Sequence, residues 1–299
     1  MNPKIKWMIQ VGKQVVAQPH WAVYRLGYNT RRTVSDVLYP FGYCHYPHRI
    51  IFLAGMALGA TTWIKNLLAR VPGIYTRSTP MPDEIRDNQD ICDSAFSRIP
   101  KYGNTLFKTH LNPTQGNIDC ILRNGVEKVI VSYRDLRDVA ISRYYRLIDF
   151  PKDQSDPNYL DYIAVGKEKA IDHSIDMIKQ YYEPWILGWY DMAANYPGRF
   201  LFVRFEDLKA DTQGQFKAML DFYGIQLREE TIGRIIEACK GKNGIKKNMK
   251  KAHVLPFAVS TNFRKGGTGY WKEELTERQI EKCKSLLSNS LIKLGYEVP

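Results

Sequence analysis

Four short segments of this sequence combine residue types that could hold or react with an anionic ligand. The first runs from Gly55 to Thr62 and reads Gly-Met-Ala-Leu-Gly-Ala-Thr-Thr. It approaches the phosphate-binding pattern G-x-x-x-x-G-K-[ST], in which backbone N–H groups and the positive end of the following helix surround an anion. Ala60 replaces the second glycine of that pattern, and Thr61 replaces its lysine. By itself, the segment also fits an ordinary strand-to-helix turn.

The second segment places an arginine and a hydroxyl eight residues apart. Arg134 follows a predicted strand, and Ser142 lies about two helical turns further on. A long guanidinium and a hydroxyl at this spacing can converge on one phosphate group. The competing interpretation is a helix that is capped by Asp135 and carries its arginines on the surface.

The third segment is basic and rich in glycine. Arg264 and Lys265 are followed by three glycines within four residues, which would let the backbone approach a phosphate closely. A solvated basic loop would have the same composition.

The fourth segment, Lys108-Thr109-His110, stands at the end of a predicted strand. A lone histidine is usually structural or exposed, but catalytic groups collect at the carboxyl ends of central strands. His110 is therefore a candidate acid–base residue.

The elements that must position these segments alternate between strand and helix. Strands are predicted over 49–55, 105–110, 128–133 and 200–204, and helices over 61–70, 135–147, 212–223 and a stretch near 168–195. This alternation predicts an α/β fold, a single domain with a central, mainly parallel sheet flanked by helices. Ligands of such folds bind at the carboxyl ends of the strands. Regions 81–104 and 240–268 are predicted to be loops over that site.

The composition favours a small anionic partner. The chain of 299 residues has a net charge of +12, which attracts anions. Nucleic acid would fit, but no nucleic-acid-binding motif is evident, and a nucleotide is the simpler partner. The five cysteines show neither metal nor disulfide spacing, which predicts a reduced, cytoplasmic setting and no metal site. No apolar run approaches the roughly 20 residues that span a bilayer, so no membrane span is expected.

In their order along the chain, the four segments resemble motifs of the cytosolic sulfotransferases, and the resemblance covers residues 49–299. The family's P-K-S-G-T-T-W loop aligns with 57–63, and its K-T-H strand end aligns with 108–110. Its R-x-x-x-D-V-x-x-S segment is matched at 134–142, and its R-K-G-x-x-G-x-W-K loop is matched at 264–272. The last match is the most specific.

The resemblance implies an enzyme that binds 3′-phosphoadenosine 5′-phosphosulfate (PAPS) without a metal. It would transfer the sulfuryl group to a hydroxyl or amine of a small-molecule acceptor and release adenosine 3′,5′-bisphosphate (PAP). His110 would be the general base, and Lys108 would steady the sulfonate. The residues implied in nucleotide binding are Leu58, Gly59, Ala60, Thr61 and Thr62 at the 5′-phosphate, Trp63, Phe205 and Phe263 at adenine, and Arg134, Ser142, Arg264, Lys265 and Gly266 at the 3′-phosphate.

One family residue is absent, because Leu58 stands where these enzymes place a lysine that donates to the leaving oxygen. Leucine can neither donate nor carry charge. Three explanations stay open: a slow enzyme that relies on Lys108 and backbone amides, a protein that binds nucleotide without turnover, and a loop with its own solution. The alternative function is therefore a catalytically impaired PAP- or PAPS-binding module. A P-loop kinase is more distant, because no Walker lysine or magnesium-binding aspartate is evident.

Two regions are predicted along the chain. Residues 1–45 are expected to form an N-terminal helical extension packed on the domain, although their aromatic and basic residues could instead contact an acidic surface. Residues 46–299 are expected to form the sulfotransferase domain.

The resemblance also raises a homodimer as an expectation. The family's K-x-x-x-T-V-x-x-x-E dimer segment is echoed over 272–281 by Lys272, Thr276 and Glu281, whereas Glu277 replaces its valine.

Overall fold

The computed structural model describes residues 19–76, 89–97, 99–149, 164–239 and 266–298. Within these residues, five strands form one sheet: β1 (Ile50–Gly55), β2 (Ile74–Thr76), β3 (Asn104–Thr109), β4 (Val129–Tyr133) and β5 (Phe200–Arg204). Their order is β2-β3-β1-β4-β5, and every neighbouring pair is parallel. The chain is therefore an α/β protein with a parallel sheet, which confirms the predicted fold class.

Helices fill the connections between the strands and cover both faces of the sheet. Those of the described residues are α1 (Pro19–Leu38), α2 (Thr61–Leu68), α3 (Gln115–Arg123), α4 (Leu136–Asp149), α5 (Lys167–Met177), α6 (Glu183–Asn195), α7 (Phe205–Ala210), α8 (Thr212–Phe222), α9 (Glu229–Cys239), α10 (Trp271–Glu274) and α11 (Glu277–Lys293). A π-helical turn, Ile178–Tyr182, joins α5 to α6. Short 3₁₀ turns lie at Tyr39–Phe41 and Asp93–Ala95.

Each face of the sheet has its own hydrophobic core, because successive side chains of a strand point to opposite faces. Phe52 of β1 packs into the core that holds Trp189 of α6 and Leu287 of α11. Its neighbour Leu53 packs into the opposite core, with Ile64 of α2 and residues of α8 and α9. All six residues of β1 are buried, as expected of a strand covered on both faces.

The four predicted strands are present as β1, β3, β4 and β5, each within one residue of its expected bounds. The sequence does not predict β2, because three residues are too short to show a period. Of the predicted loop 81–104, the described part contains the turn Asp93–Ala95 and ends in the first residue of β3. Most of the predicted loop 240–268 lies outside the described residues.

Helix α1 belongs to the region predicted as an N-terminal extension, of which residues 1–18 lie outside the described residues. Its Tyr28 hydroxyl donates to the carbonyl of Thr76 in β2 at 3.4 Å, and the Tyr28 ring meets the ring of Tyr75 edge-on. Neither α1 nor any other helix in the described ranges is sufficiently long and apolar to cross a bilayer.

The strand order reverses at β1. The chain passes from β1 to β2 on one side of the sheet and later from β3 to β4 on the other. In open α/β sheets, ligands bind at the carboxyl ends of the strands beside such a reversal. Gly55 ends β1, Thr109 ends β3 and Tyr133 ends β4. Three of the four candidate segments therefore meet at one edge.

A buried tyrosine hydroxyl joins the central strand to the chain that enters β4. Tyr223 follows α8 and is fully buried. Its hydroxyl accepts from the Phe52 backbone N–H at 3.0 Å and lies 2.9 Å from the Lys128 carbonyl and 3.2 Å from the Phe52 carbonyl. The hydroxyl donates its one proton to one of these carbonyls.

Replacing Tyr223 by Phe should lower the free energy of unfolding by about 1–3 kcal/mol, because the Phe52 N–H and a carbonyl would be left buried without partners. Urea unfolding followed by circular dichroism measures this loss. The matched control is Tyr181→Phe, whose ring is 55% exposed and whose change should stay within about 0.5 kcal/mol. Equal losses in the two variants would contradict the assignment.

Candidate functional site

The loop between β1 and α2 turns around one carbonyl oxygen. The Met56 carbonyl accepts from the Gly59 N–H at 3.0 Å and from Thr61 Oγ1 at 3.1 Å. The Met56 N–H in turn donates to the Ser132 carbonyl of β4 at 2.8 Å. Because the first N–H groups of a helix lack intrahelical acceptors, those of Thr61 and Thr62 are directed toward this loop. The loop has the arrangement that can hold an anion at a helix N-terminus.

Two residues of the loop adopt left-handed backbone conformations that favour glycine. Leu58 has φ of 68° and Ala60 has φ of 66°. Such a conformation costs about 1 kcal/mol for a residue with a side chain, and strain of this kind collects at functional sites. Gly59 between them is closely packed, since a Cβ would lie 3.1 Å from the Met56 carbonyl oxygen and 3.3 Å from Tyr133 Cα, and its neighbours would have to move slightly to accept one.

His110 contacts this loop directly. Its Nδ1 lies 2.5 Å from the Gly55 carbonyl oxygen. A carbonyl oxygen only accepts, so Nδ1 carries the proton and Nε2 keeps a free lone pair. Burial, together with the nearby Lys108 and Arg146 cations, lowers the pKa of His110 to about 4, while the bond to Gly55 opposes this shift. The imidazole is therefore neutral at neutral pH and can accept a proton through Nε2.

Lys108 is the last residue but one of β3. Burial lowers the pKa of its ammonium, and the Arg146 cation adds to this effect. Lys108 pairs in register with Leu53, whose side chain lies in the core beneath α2. The side chain of Lys108 therefore leaves the sheet on the same face as α2.

Arg134 leaves the end of β4 and meets Ser142, as its spacing predicts. Its Nη1 donates to Ser142 Oγ at 3.1 Å, and its Nη2 donates to Asp138 Oδ2 at 3.1 Å and to the Gly267 carbonyl at 2.7 Å. Its guanidinium lies over the Phe205 ring, 4.6 Å from the centroid. The arginine, the serine and the third segment thus meet at one point.

The second segment shows a feature of each of its two interpretations, and phosphate binding by Arg134 and Ser142 stays a prediction. Asp135 accepts from the Arg137 backbone N–H at 2.9 Å, so it caps α4 as the competing interpretation expected. The arginines, however, are buried and do not lie on the surface. Arg137 pairs with Asp135 at 2.8 Å and stacks on the Trp271 ring at 3.8 Å. Capping and the convergence of Arg134 with Ser142 occur together.

Asp138 is a residue of this site to which sequence reasoning assigned no role. Its side chain is fully buried. Oδ2 accepts from the Gly269 N–H at 2.8 Å, and Oδ1 accepts from the Trp271 N–H at 3.0 Å. Its place in the R-x-x-x-D pattern, one helical turn after Arg134, is the signal that could have identified it. Asp138 ties the glycine-rich segment to α4.

The remaining predicted nucleotide residues lie on either side of this point. Trp63 of α2 meets the ring of Phe205 edge-on at 6.2 Å. Gly266 is described and has φ of 60°, in the left-handed region. Phe263, Arg264 and Lys265 lie outside the described residues. No cluster of His, Cys, Asp or Glu in the described ranges could hold a metal ion.

These features define the class of protein. A parallel sheet whose central strand leads through a tight loop into a helix N-terminus is an α/β fold of the P-loop-like type.

Comparison with known proteins gives the family. Residues 49–295 match the family described as the sulfotransferase domain. The flavonol 3-sulfotransferase of Flaveria bidentis is 27% identical over 273 residues, which is 82% of each chain. Sulfotransferase 1A1 of Bos taurus is 32% identical over 181 residues, covering 59% of this chain and 58% of that protein. The chain belongs to the sulfotransferase family.

Solved structures share the fold. The crystal structure of mouse sulfotransferase SULT7A1 complexed with PAP superposes with a TM-score of 0.62 at 21% identity, covering 82% of this chain and 85% of that one. A retinol dehydratase in complex with retinol and PAP gives a TM-score of 0.56 at 18% identity and covers 83% of each chain.

Replacing Asp138 by Asn should lower the free energy of unfolding by about 3 kcal/mol. The buried Arg134 charge would lose its partner, and the single amide oxygen cannot accept from both Gly269 and Trp271. Chemical unfolding measures the loss. Asp191→Asn is the control, because that exposed carboxylate pairs with the exposed Lys293 and should contribute under about 1 kcal/mol. A similarly small loss at Asp138 would show that its carboxylate does not hold the segment.

Proposed function

We propose that this protein transfers the sulfuryl group of PAPS to a hydroxyl or amine of a small-molecule acceptor. The observation that carries the proposal is the contact between His110 and the Gly55 carbonyl. It puts a neutral imidazole, with Nε2 free to accept a proton, against the loop that would hold the 5′-phosphosulfate. Family membership supports sulfuryl transfer as the reaction.

The loop and the start of α2 would bind the 5′-phosphate. In this proposal, the amides of Leu58, Ala60, Thr61 and Thr62 and the hydroxyl of Thr62 face the anion, and the positive end of α2 adds to its binding. The Gly59 N–H and the Thr61 hydroxyl donate to the Met56 carbonyl and shape the loop instead. The left-handed residues Leu58 and Ala60 give the loop the shape in which its N–H groups converge.

The cations at the start of α4 would bind the 3′-phosphate. Arg134 and Ser142 already face each other, and Asp138 holds the guanidinium in place. Arg264, Lys265 and Gly266 complete this group by resemblance, and Trp63, Phe205 and Phe263 would flank adenine. The PAP named in the solved structure of the mouse sulfotransferase is consistent with such a ligand.

The chemistry is an in-line displacement at sulfur, for which PAPS supplies the group that is transferred. His110 Nε2 takes the proton of the acceptor while the acceptor's oxygen or nitrogen bonds to sulfur. The bond from sulfur to the bridging oxygen breaks, and that oxygen leaves with the electron pair on PAP. Lys108 stabilises the charge on the sulfonate.

A second function, a nucleotide-binding module without turnover, is favoured by one observation. Leu58 cannot carry charge at the position where the family places a lysine, so the leaving oxygen lacks one donor. In either case, residues 46–299 would form the sulfotransferase domain and residues 1–45 its extension. The homodimer through 272–281 and the cytoplasmic setting stay predictions.

PAP should bind and raise the melting temperature, because a ligand selective for the folded state stabilises it by mass action. AMP, which lacks the 3′-phosphate, should give a much smaller shift. Differential scanning fluorimetry over a concentration series of each nucleotide makes the comparison. Equal shifts from PAP and AMP would show that Arg134 and Ser142 are not part of a 3′-phosphate site.

Replacing His110 by Ala should lower transfer from radiolabelled PAPS to the best acceptor of a panel of phenols, alcohols and amines by about a hundredfold or more. PAP binding should hardly change. The control is His45→Ala, an exposed histidine that packs on Tyr39. If PAP binds but neither the parent protein nor His45→Ala transfers sulfate, the binding-module function is favoured.

The protonation of His110 also predicts how kcat/KM depends on pH. His110 acts as a base when neutral, and its pKa is lowered to about 4. The kcat/KM of the parent, which reports the free enzyme, should therefore stay level from pH 7.5 to 5.5 and fall only as the pH approaches 4. A fall centred near pH 6.5 would mean that the surroundings of His110 do not hold the imidazole in its neutral state.

A further inference from the structure

Lys65 is a buried cation that the proposed mechanism does not use. It lies in α2, one turn after Thr61, and only 8% of its surface is exposed. No carboxylate in the described part of the chain pairs with its ammonium. Burial, together with the nearby cations Lys108 and Arg70, lowers the pKa of Lys65 to about 8. A buried charge without a counter-charge lowers stability, so its presence calls for another explanation.

The fold places Lys65 and Lys108 in the same layer, between α2 and the sheet. Residues four apart on a helix share a face, so Lys65 lies on the same face as Thr61, whose side chain packs against Gly55. Helical side chains tilt toward the N-terminus, and the four-carbon stem of a lysine spans about one turn. Lys108 leaves β3 on the face that α2 covers. Both ammonium groups therefore belong to the layer between α2 and the sheet, at its carboxyl edge.

Among the described residues, the layer between α2 and the sheet holds two positive charges at this edge and no carboxylate that pairs with them. Lys108 and Lys65 repel each other, since each carries the same charge and Lys108 lowers the pKa of Lys65. The folded protein holds them together without a described carboxylate between them. An arrangement of this kind is stabilised by an anion that binds both. The loop that would hold the 5′-phosphosulfate begins one turn away.

We propose that Lys65 supplies positive charge to the 5′-phosphosulfate end of the site, in place of the charge that Leu58 cannot supply. This inference rests on the proposed function. Lys65 would reach the anion from the layer between α2 and the sheet. A lysine at position 58 would reach it from the loop between β1 and α2. In a site shielded from water, a cation stabilises nearby negative charge more strongly than in solvent.

The test compares two nucleotides that differ only in the 5′-phosphate, PAP and adenosine 3′-monophosphate, by isothermal titration calorimetry. For the parent, the ratio of the two affinities measures the contribution of the 5′-phosphate. Lys65→Met should reduce that ratio by about tenfold or more, the effect of losing one charge-assisted contact. The affinity for adenosine 3′-monophosphate should change less than about twofold. Lys65→Arg, which keeps the charge, should retain most of the ratio.

The matched control is Lys217→Met, which removes the same charge from an exposed position on α8, paired with Glu229. It should leave the ratio unchanged. Lys65→Met should also raise the free energy of unfolding of the ligand-free protein, because a methionine of similar shape removes an unpaired buried charge. Adding Leu58→Lys to Lys65→Met should restore the ratio and the single-turnover rate of sulfate transfer.

Two results would overturn the inference, and they differ from each other. If Lys65→Met destabilises the protein and changes the ratio no more than Lys217→Met does, Lys65 is structural, while the proposed function stands. If the parent shows no preference for PAP over both AMP and adenosine 3′-monophosphate, the nucleotide site itself is wrong, and the inference fails with it.

Discussion

The site depends on the close approach of four elements at Gly55. A Cβ on this residue would lie 2.3 Å from the side chain of Thr61 and 2.7 Å from Ser132 Oγ. The carbonyl of the same residue accepts the hydrogen bond from His110 Nδ1. The end of β1, the first turn of α2 and the end of β4 can meet only because Gly55 has no side chain, and the residue after β3 binds the same peptide group. One glycine thus determines how near the imidazole lies to the loop.

The cations around the site fall into two kinds, those paired with a carboxylate and those without one. Arg134 and Arg137 each face a buried carboxylate, Asp138 and Asp135, so their positions are held without a ligand. Lys65 is buried and Lys108 is partly buried, both without a described carboxylate, and desolvation lowers the pKa of each. A paired guanidinium organises the backbone, whereas an unpaired ammonium keeps its charge available for an incoming anion. Under the proposed function, the first pair shapes the 3′ end of the site and the second attracts the 5′ end.

The loop itself stores conformational strain. Leu58 and Ala60 both have positive φ, which costs about 1 kcal/mol each relative to glycine. Hydrogen bonds to the Met56 carbonyl and the fully buried strand β1 hold the loop in this shape. Because these contacts do not involve the side chain at position 58, we expect a lysine there to change the charge of the loop more than its backbone path. This separation is why binding and turnover are expected to respond differently to that residue.

The sequence by itself determined the parallel α/β fold and the edge at which its chemistry lies, because strand and helix periods and the loop segments are local properties. It also predicted that Arg134 meets Ser142, since helical spacing alone brings them together. Only the tertiary structure decided that Asp138 holds Gly269 and Trp271, more than a hundred residues away, and that Lys65 and Lys108 share the layer between α2 and the sheet. The lowered pKa of His110 is likewise a consequence of the tertiary structure. Burial and contacts between distant segments arise from packing across the whole sheet, and no local pattern of residues encodes them.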